Sequence, residues 1–279
     1  MFAYRSRFLT RGEVWFDEEP DGRRVDWVLY RQCSRPIPKS RWRFFYTRLI
    51  DLSKSPDQLL AEMKKSTATG IREATDQDQT SVEAWEPKSP KIMDRFEAMW
   101  NQFAAARGSA RLDQKWLGPM IHASALDLTA ARSRGGELLA VQATYRHAHR
   151  ARQLMVVSPF QPQPSVAMRK KIHRANCLLH WETMLRMKEC GVGHFDFGGW
   201  YPGNTDIQLL GINAFKESFG GAVRREYECK RILTLKGWIV LSAARLLRKT
   251  RDPHRSRTPI LDANIDANTK TNELSAAIR

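Results

Sequence analysis

Three segments decide the fold: RKKIHRANCLLHW (169–181), HFDFGGW (194–200) and GINAFKESFGG (211–221). The first belongs to a stretch over 166–189 in which Leu178, Trp181 and Leu185 share one helical face, with Gly191 where a C-terminal cap belongs. HFDF reads as a strand that runs straight into Gly198-Gly199, where backbone can turn with positive φ or approach a ligand closely. INAFKESF reads as a short helix closed by Gly220-Gly221, and a strand over 225–235 follows. Helices alternating with strands predict a mixed α/β sheet.

Working outward, residues 92–107 carry Phe96, Met99, Trp100 and Phe103 at i, i+3, i+4 and i+7, and a second helix is expected over 113–123. Strands are expected over 125–133, 138–145 and 153–158. Upstream, GEVWFDEE and DWVLYRQ flank Pro20-Asp21-Gly22 and predict a hairpin, and RWRFFYTRLIDL (41–52) reads as extended. Ser55-Pro56-Asp57-Gln58 has the pattern of a capping box, opening a helix that weakens at Thr67–Gly70. Residues 75–90 are polar, hold at most one short strand and mark a boundary. The chain therefore divides into an N-terminal unit over 1–88, a main domain over 89–250 and a poorly ordered tail over 251–279.

The chain has 279 residues, 46 Lys and Arg against 30 Asp and Glu, and a net charge of +16. With 42% hydrophobic and 10% aromatic residues it is not a mostly disordered chain. The nine Trp fill a core or line a groove. Cys33, Cys177, Cys190 and Cys229 form no CxxC pair and no zinc spacing, so no metal site is expected and a reducing compartment fits. The first residues lack the apolar run of a signal peptide, and the longest apolar stretch, 238–247, is too short to span a bilayer. The expectation is a soluble, cytoplasmic protein, with a polyanionic partner such as nucleic acid, a nucleotide phosphate or the inner membrane face. A merely solvated basic surface is the alternative. The amphipathic helix expected over 237–250 either packs on the sheet or contacts the membrane peripherally.

Between 140 and 190, nine Lys and Arg face only Glu182 and Glu189. Arg169, Lys170, Lys171 and Arg174, with Asn176 behind them, stand at the start of the long helix, where free N–H groups already favour anions; this is a candidate phosphate site or a basic solvated face. Gly198, Gly199 and Trp200 mark a candidate substrate crevice at a strand end. Asp196 can accept a proton there, or simply bond to the turn's own N–H groups. Lys216 can stabilise an oxyanion or a phosphate. Phe215 and Phe219 are one turn apart and read as core anchors.

The order FDFGG, G-x-x-x-FK-x-x-FGG and strand resembles the Fem-type aminoacyltransferases of peptidoglycan bridge formation. HRANCLLHWETMLRMKECGVGHFDFGG and IDLSKSPDQLLAEMKKSTATGIREA are similar to that family's segments in order and spacing, over roughly residues 45–235. The resemblance implies a fold of the GNAT superfamily, here one complete domain plus a truncated N-terminal unit. It implies N-acyl transfer from a charged tRNA to a primary amine of a cell-envelope precursor, of peptidoglycan or polysaccharide type. It also puts Phe215 and Lys216 at the family's FK pair, Phe215 thereby joining the substrate-binding set and Lys216 stabilising the reacting acyl ester.

No cofactor is expected to stay bound; the acyl donor is either aminoacyl-tRNA or acyl-CoA. Coenzyme A enzymes of that superfamily usually carry a glycine-bearing pyrophosphate loop before the long helix, and RKKIHRA has no glycine, which tilts the reading to aminoacyl-tRNA. The acceptor is an amine, nucleotide- or lipid-linked. A coenzyme A-dependent N-acetyltransferase and a non-catalytic RNA-binding module are the competing readings.

Overall fold

The computed structural model describes residues 1–6, 8–106, 108–159 and 165–251, with side chains to 244. Residues 252–279 of the expected tail lie outside them. In chain order the elements are β1 (Phe2–Ser6), β2 (Leu9–Trp15), β3 (Trp27–Cys33), β4 (Arg41–Asp51), α1 (Pro56–Glu62), α2 (Lys65–Asp76), β5 (Ser81–Trp85), α3 (Pro90–Ala106) and α4 (Gln114–His122). They continue with β6 (Leu126–Arg132), β7 (Leu138–Arg146), β8 (Arg150–Val157), α5 (Val166–Glu189), β9 (His194–Gly199), α6 (Ile207–Glu217), β10 (Ala222–Ile232) and α7 (Leu235–Arg251). The mixed α/β sheet architecture expected from the sequence is present. The chain forms two compact units: Met1–Phe45, Ala106–Ala110 and Arg225 onward make the first, Tyr46–Ala105 and Arg111–Arg224 the second.

In the first unit the strand order is β1-β2-β3-β10. The hairpin expected around Pro20-Asp21-Gly22 is absent, because β2 and β3 pair in parallel, from Arg11↔Trp27 to Trp15↔Arg31. Phe16 and Asp17 take left-handed backbone (φ 54° and 63°), and the chain runs back along β2 before re-entering. There Asp26 N donates to Thr10 O (2.9 Å) and Asp26 Oδ2 accepts from Thr10 N (2.8 Å). The hairpin in this region is β1–β2. Val14, Val25, Val28, Tyr30, Cys33 and Cys229 form the unit's apolar core. Glu13, Arg31, Glu228 and Arg43 form a cross-strand ion ladder, with Arg31 Nη1 3.0 Å from Glu228 Oε1 and Arg43 Nε 3.0 Å from Glu228 Oε2.

In the second unit the order is β4-β9-β8-β7-β6-β5, parallel only at β8–β9. The capping box of α1 is formed, Ser55 Oγ accepting from Gln58 N and Gln58 Oε1 from Ser55 N. The helix breaks at Met63–Lys64, not at Thr67–Gly70. Thr67, Gly70, Ile71 and Ala74 are instead the buried stripe of α2, small enough to let it pack closely on α5. α5 is the axis of the unit: Ala175, Leu179, Ala131, Leu139 and Ala140 form one cluster, while Cys177, Leu178, Trp181, Met184 and Met187 join a larger one with Ile50, Leu59, Phe195, Phe197 and Phe219.

Wrapping α5 on several sides changes which leucine matters. Leu179 is fully buried, whereas Leu185, expected on the core face, is only half-buried. Leu179→Ala is expected to cost about 2–5 kcal/mol and Leu185→Ala clearly less, read from urea unfolding midpoints. Equal costs would contradict this packing.

Candidate active site

β8 and β9 run side by side only briefly. Among the described residues their pairing covers Arg150↔His194, Ala151↔Phe195 and Arg152↔Asp196, although β8 continues to Val157 and β9 to Gly199. Just past this point the register of β8 on β7 shifts, from Gln153↔Thr144 to Met155↔Ala143, leaving Leu154 as the extra residue of a bulge. A bulge bends its strand and increases its local twist. Among the described residues β8 and β9 form no further pair beyond Arg152↔Asp196.

Asp196 stands where they part. It is fully buried, yet its carboxylate has a complete set of donors: Arg150 through Nε (2.8 Å) and Nη2 (2.6 Å), Gly198 N (2.7 Å) and the Thr47 hydroxyl. Burial alone would raise its pKa, but the Arg150 and Arg152 guanidinium groups and these hydrogen bonds outweigh it and lower the pKa. The geometry makes Asp196 a brace between β4, β8 and β9, with its lone pairs engaged. Gly198 has φ 76°, so the turn favours glycine for its backbone, and the Arg152 guanidinium lies directly over its Cα.

Lys216 projects from α6 to this strand end. Its side chain is buried, and Nζ donates to the carbonyl of Gly199. Burial first, and the Arg152 guanidinium second, push its pKa down to about 7, against the pull of Asp196. Asp206 caps α6 by accepting from Gln208 N and Leu209 N. Asn213 fixes the helix to the loop after β9, donating to Tyr201 O (2.7 Å) and accepting from Tyr201 N (3.1 Å). Trp200 N donates to Tyr46 O (2.7 Å), and Trp200 lies under the Arg48 guanidinium (5.1 Å). Arg48 in turn donates to Gly220 O (2.6 Å) and Gly221 O (3.1 Å).

Behind the lysine, His180 is stacked on Phe197 (5.5 Å, 18°) and contacts Phe215 (5.2 Å) and Phe219 (5.5 Å) edgewise or tilted. Its Nδ1 lies 2.7 Å from Asn176 O and its Nε2 3.1 Å from Gln153 Oε1 at the start of the bulge, so both ring nitrogens face an acceptor. Burial pushes its pKa down to about 4, so the ring is neutral. Phe215 is thus part of the wall that aims Lys216.

The structure therefore brings together Lys216, Asp196, Phe215, Gly198, Gly199 and Trp200. The basic residues of α5 behave differently. Arg169 and Lys170 are exposed and Lys171 is half-buried. Arg174 is engaged by Asp78 in a two-pronged pair (2.6 and 2.8 Å) that joins α5 to the end of α2. Asn176 donates back to Ile172 O (2.9 Å), one turn earlier in its own helix. Sequence reasoning passed over Thr47, Arg150, Arg152, Gln153 and His180. The i, i+2 spacing of Arg150 and Arg152 on a strand was the available signal, since both side chains take one face.

A family model described as the acetyltransferase (GNAT) domain matches residues 61–217, more than half of the chain. Among solved structures the chain is similar to FemX, with 13% identity and a TM-score of 0.55 over 70% of this chain. It covers 63% of the FemX chain, just under two thirds of its length. It is also similar to L-PGS from Bacillus licheniformis, with 12% identity and a TM-score of 0.47, over 78% of this chain and 72% of the other. No curated protein sequence matches it.

Two variants separate the buried carboxylate from the buried ammonium. Asp196→Asn leaves Arg150 buried without its counter-ion and is expected to cost about 3–5 kcal/mol in urea unfolding. Lys216→Met is expected to stabilise. The folded pKa, about 7, lies below the ordinary lysine value of 10.5, so the fold penalises the ammonium fully below pH 7 and progressively less up to pH 10.5. The gain in thermal midpoint should be larger at pH 6 than at pH 9, and a variant melting below wild type at pH 6 would refute the assignment.

Proposed function

The chain belongs to the acetyltransferase (GNAT) domain family, and from that premise we propose that it is an N-acyltransferase working in the opening between β8 and β9. The observation that carries this reading is the parting of the strands at Arg152↔Asp196 with the Lys216 ammonium at its mouth. A carbonyl seated there would have the backbone of the parted strands on one side and Lys216 on the other, a charged donor for a tetrahedral oxyanion.

In the proposed reaction a neutral primary amine attacks the acyl carbon. The C–N bond forms, the carbonyl electrons move to oxygen, and the oxyanion is held by Lys216. On collapse the C–O bond of an ester, or the C–S bond of a thioester, breaks. The proton lost by the amine passes to water and the leaving group is protonated from Lys216, whose pKa of about 7 suits giving and regaining a proton. Asp196, with its lone pairs engaged, does not serve as the base in this scheme. Its contribution is to hold Gly198 and Gly199, and thereby the seat of Lys216.

For the donor we favour an aminoacyl ester of tRNA. Arg169, Lys170 and Lys171 offer a basic second turn of α5, in a segment with no glycine to admit a pyrophosphate against the backbone. The acceptor on this reading is an amine of a cell-envelope precursor, nucleotide- or lipid-linked, on the cytoplasmic side. An acyl-CoA donor is the second reading, favoured by the matched family's description as acetyltransferase. Thermal shift with coenzyme A and with charged tRNA separates the two, the true donor raising the midpoint at saturating concentration.

Lys216→Ala is expected to lower single-turnover acyl transfer by about 10²–10³-fold. The amine must be neutral and the lysine protonated, so the wild-type rate should rise with pH up to about 7 and level off above it, whereas in Lys216→Arg it should keep rising toward the pKa of the amine. Equal rates for Lys216→Ala and wild type with either donor would end the proposal.

A further inference from the structure

α7 leaves part of its apolar surface in solvent. Its first turn is clamped to Asp26: Leu233 N and Thr234 N donate to Asp26 O (2.9 and 3.3 Å), and Thr234 Oγ1 donates to Asp26 Oδ1 (2.7 Å). Thr234 Oγ1 also accepts from Gly237 N (3.0 Å), and Lys236 Nζ lies 3.8 Å from Asp26 Oδ2. Gly237 is buried so closely that a Cβ would fall 2.7 Å from Asp26 O. These contacts fix the rotation of the helix about its axis. With Gly237 turned inward, Leu235, Trp238 and Ile239 are 73%, 58% and 53% exposed. Residues at i, i+3 and i+4 are the stripe a helix normally buries; here the clamp turns that stripe to solvent.

The helix that carries the stripe is basic in sequence. The sequence of α7, LKGWIVLSAARLLRKTR, holds five basic residues and no acidic one. The Lys236 side chain is 60% exposed. No helix among the described residues is long and apolar enough to cross a membrane. Packing two such helices together would gather two sets of like charge, which opposes a second copy of the chain as the occupant. An anionic surface with an apolar interior matches both features: the apolar stripe enters the boundary between headgroups and acyl chains, and the cations face lipid phosphates.

We propose that α7 is an interfacial anchor that lies in the plane of an anionic lipid bilayer, with Leu235, Trp238 and Ile239 inserted. This goes beyond the acyl-transfer reading and does not depend on it. The test is co-sedimentation of the full chain with vesicles of phosphatidylcholine alone and of phosphatidylcholine mixed with phosphatidylglycerol. Wild type should pellet with the anionic vesicles and remain in solution with the neutral ones. The double variant Leu235→Gln/Ile239→Gln should lower its partitioning at least about tenfold, with its thermal midpoint and soluble acyl transfer unchanged. Trp238→Gln, read in the same way, keeps the test decisive should the double variant melt early. Wild type left in solution with anionic vesicles would overturn the anchor. So would variants that pellet as well as wild type, which would move binding to another basic surface. A concentration-dependent dimer in light scattering, abolished by the variants in protein that ignores vesicles, would give the stripe to a second copy and overturn it too.

Discussion

The second unit depends on a carboxylate buried where two parallel strands separate. Asp196 draws together Arg150 of β8, Thr47 of β4 and the amide of Gly198 in its own strand. A buried charge is costly unless every lone pair is met, and it tolerates little movement once they are. The opening beside it is therefore a rigid one. The bulge at Leu154 turns β8 away, the ion pair stops the separation from running further down the strands, and the wedge keeps its width.

Lys216 works against that background. An ammonium with little access to water is a poor choice for stability, and the fold spends contacts elsewhere to hold it. Asn213 ties α6 to Tyr201, Arg48 gathers the carbonyls of Gly220 and Gly221, and the aromatic group around His180 backs the helix. None of these touches the place where a carbonyl would sit. Together they set the direction of one amine, and the same confinement lowers its pKa toward neutrality.

Much of this was legible in the sequence. The helical spacing of α5 and the strand that ends in FDFGG were readable, since periodicity and double glycines are local signals. What was hidden depends on pairing. Arg150 and Arg152 read as part of a basic stretch, because nothing local says that Asp196 comes to lie opposite them in a parallel neighbour. Arg174 read as a phosphate ligand because Asp78, 96 residues away, does not announce itself as its partner. Pro20-Asp21-Gly22 suggested a hairpin, and two left-handed residues before it, followed by the return to Thr10, made a parallel crossover instead.

The first unit takes its strands from both sides of the second. Arg31 and Glu228, joined across β3 and β10, are separated by 197 positions. During synthesis on a ribosome, β1 to β3 emerge early and wait while all of the second unit is made. Until residues 222–232 leave the exit tunnel, β3 presents an open edge and half of an ion ladder, both invitations to wrong partners. Non-local pairing of this kind slows closure, so the chain's yield in a cell is tied to chaperone cover over that interval, and shortening the interval between the two halves by circular permutation is a rational route to faster assembly.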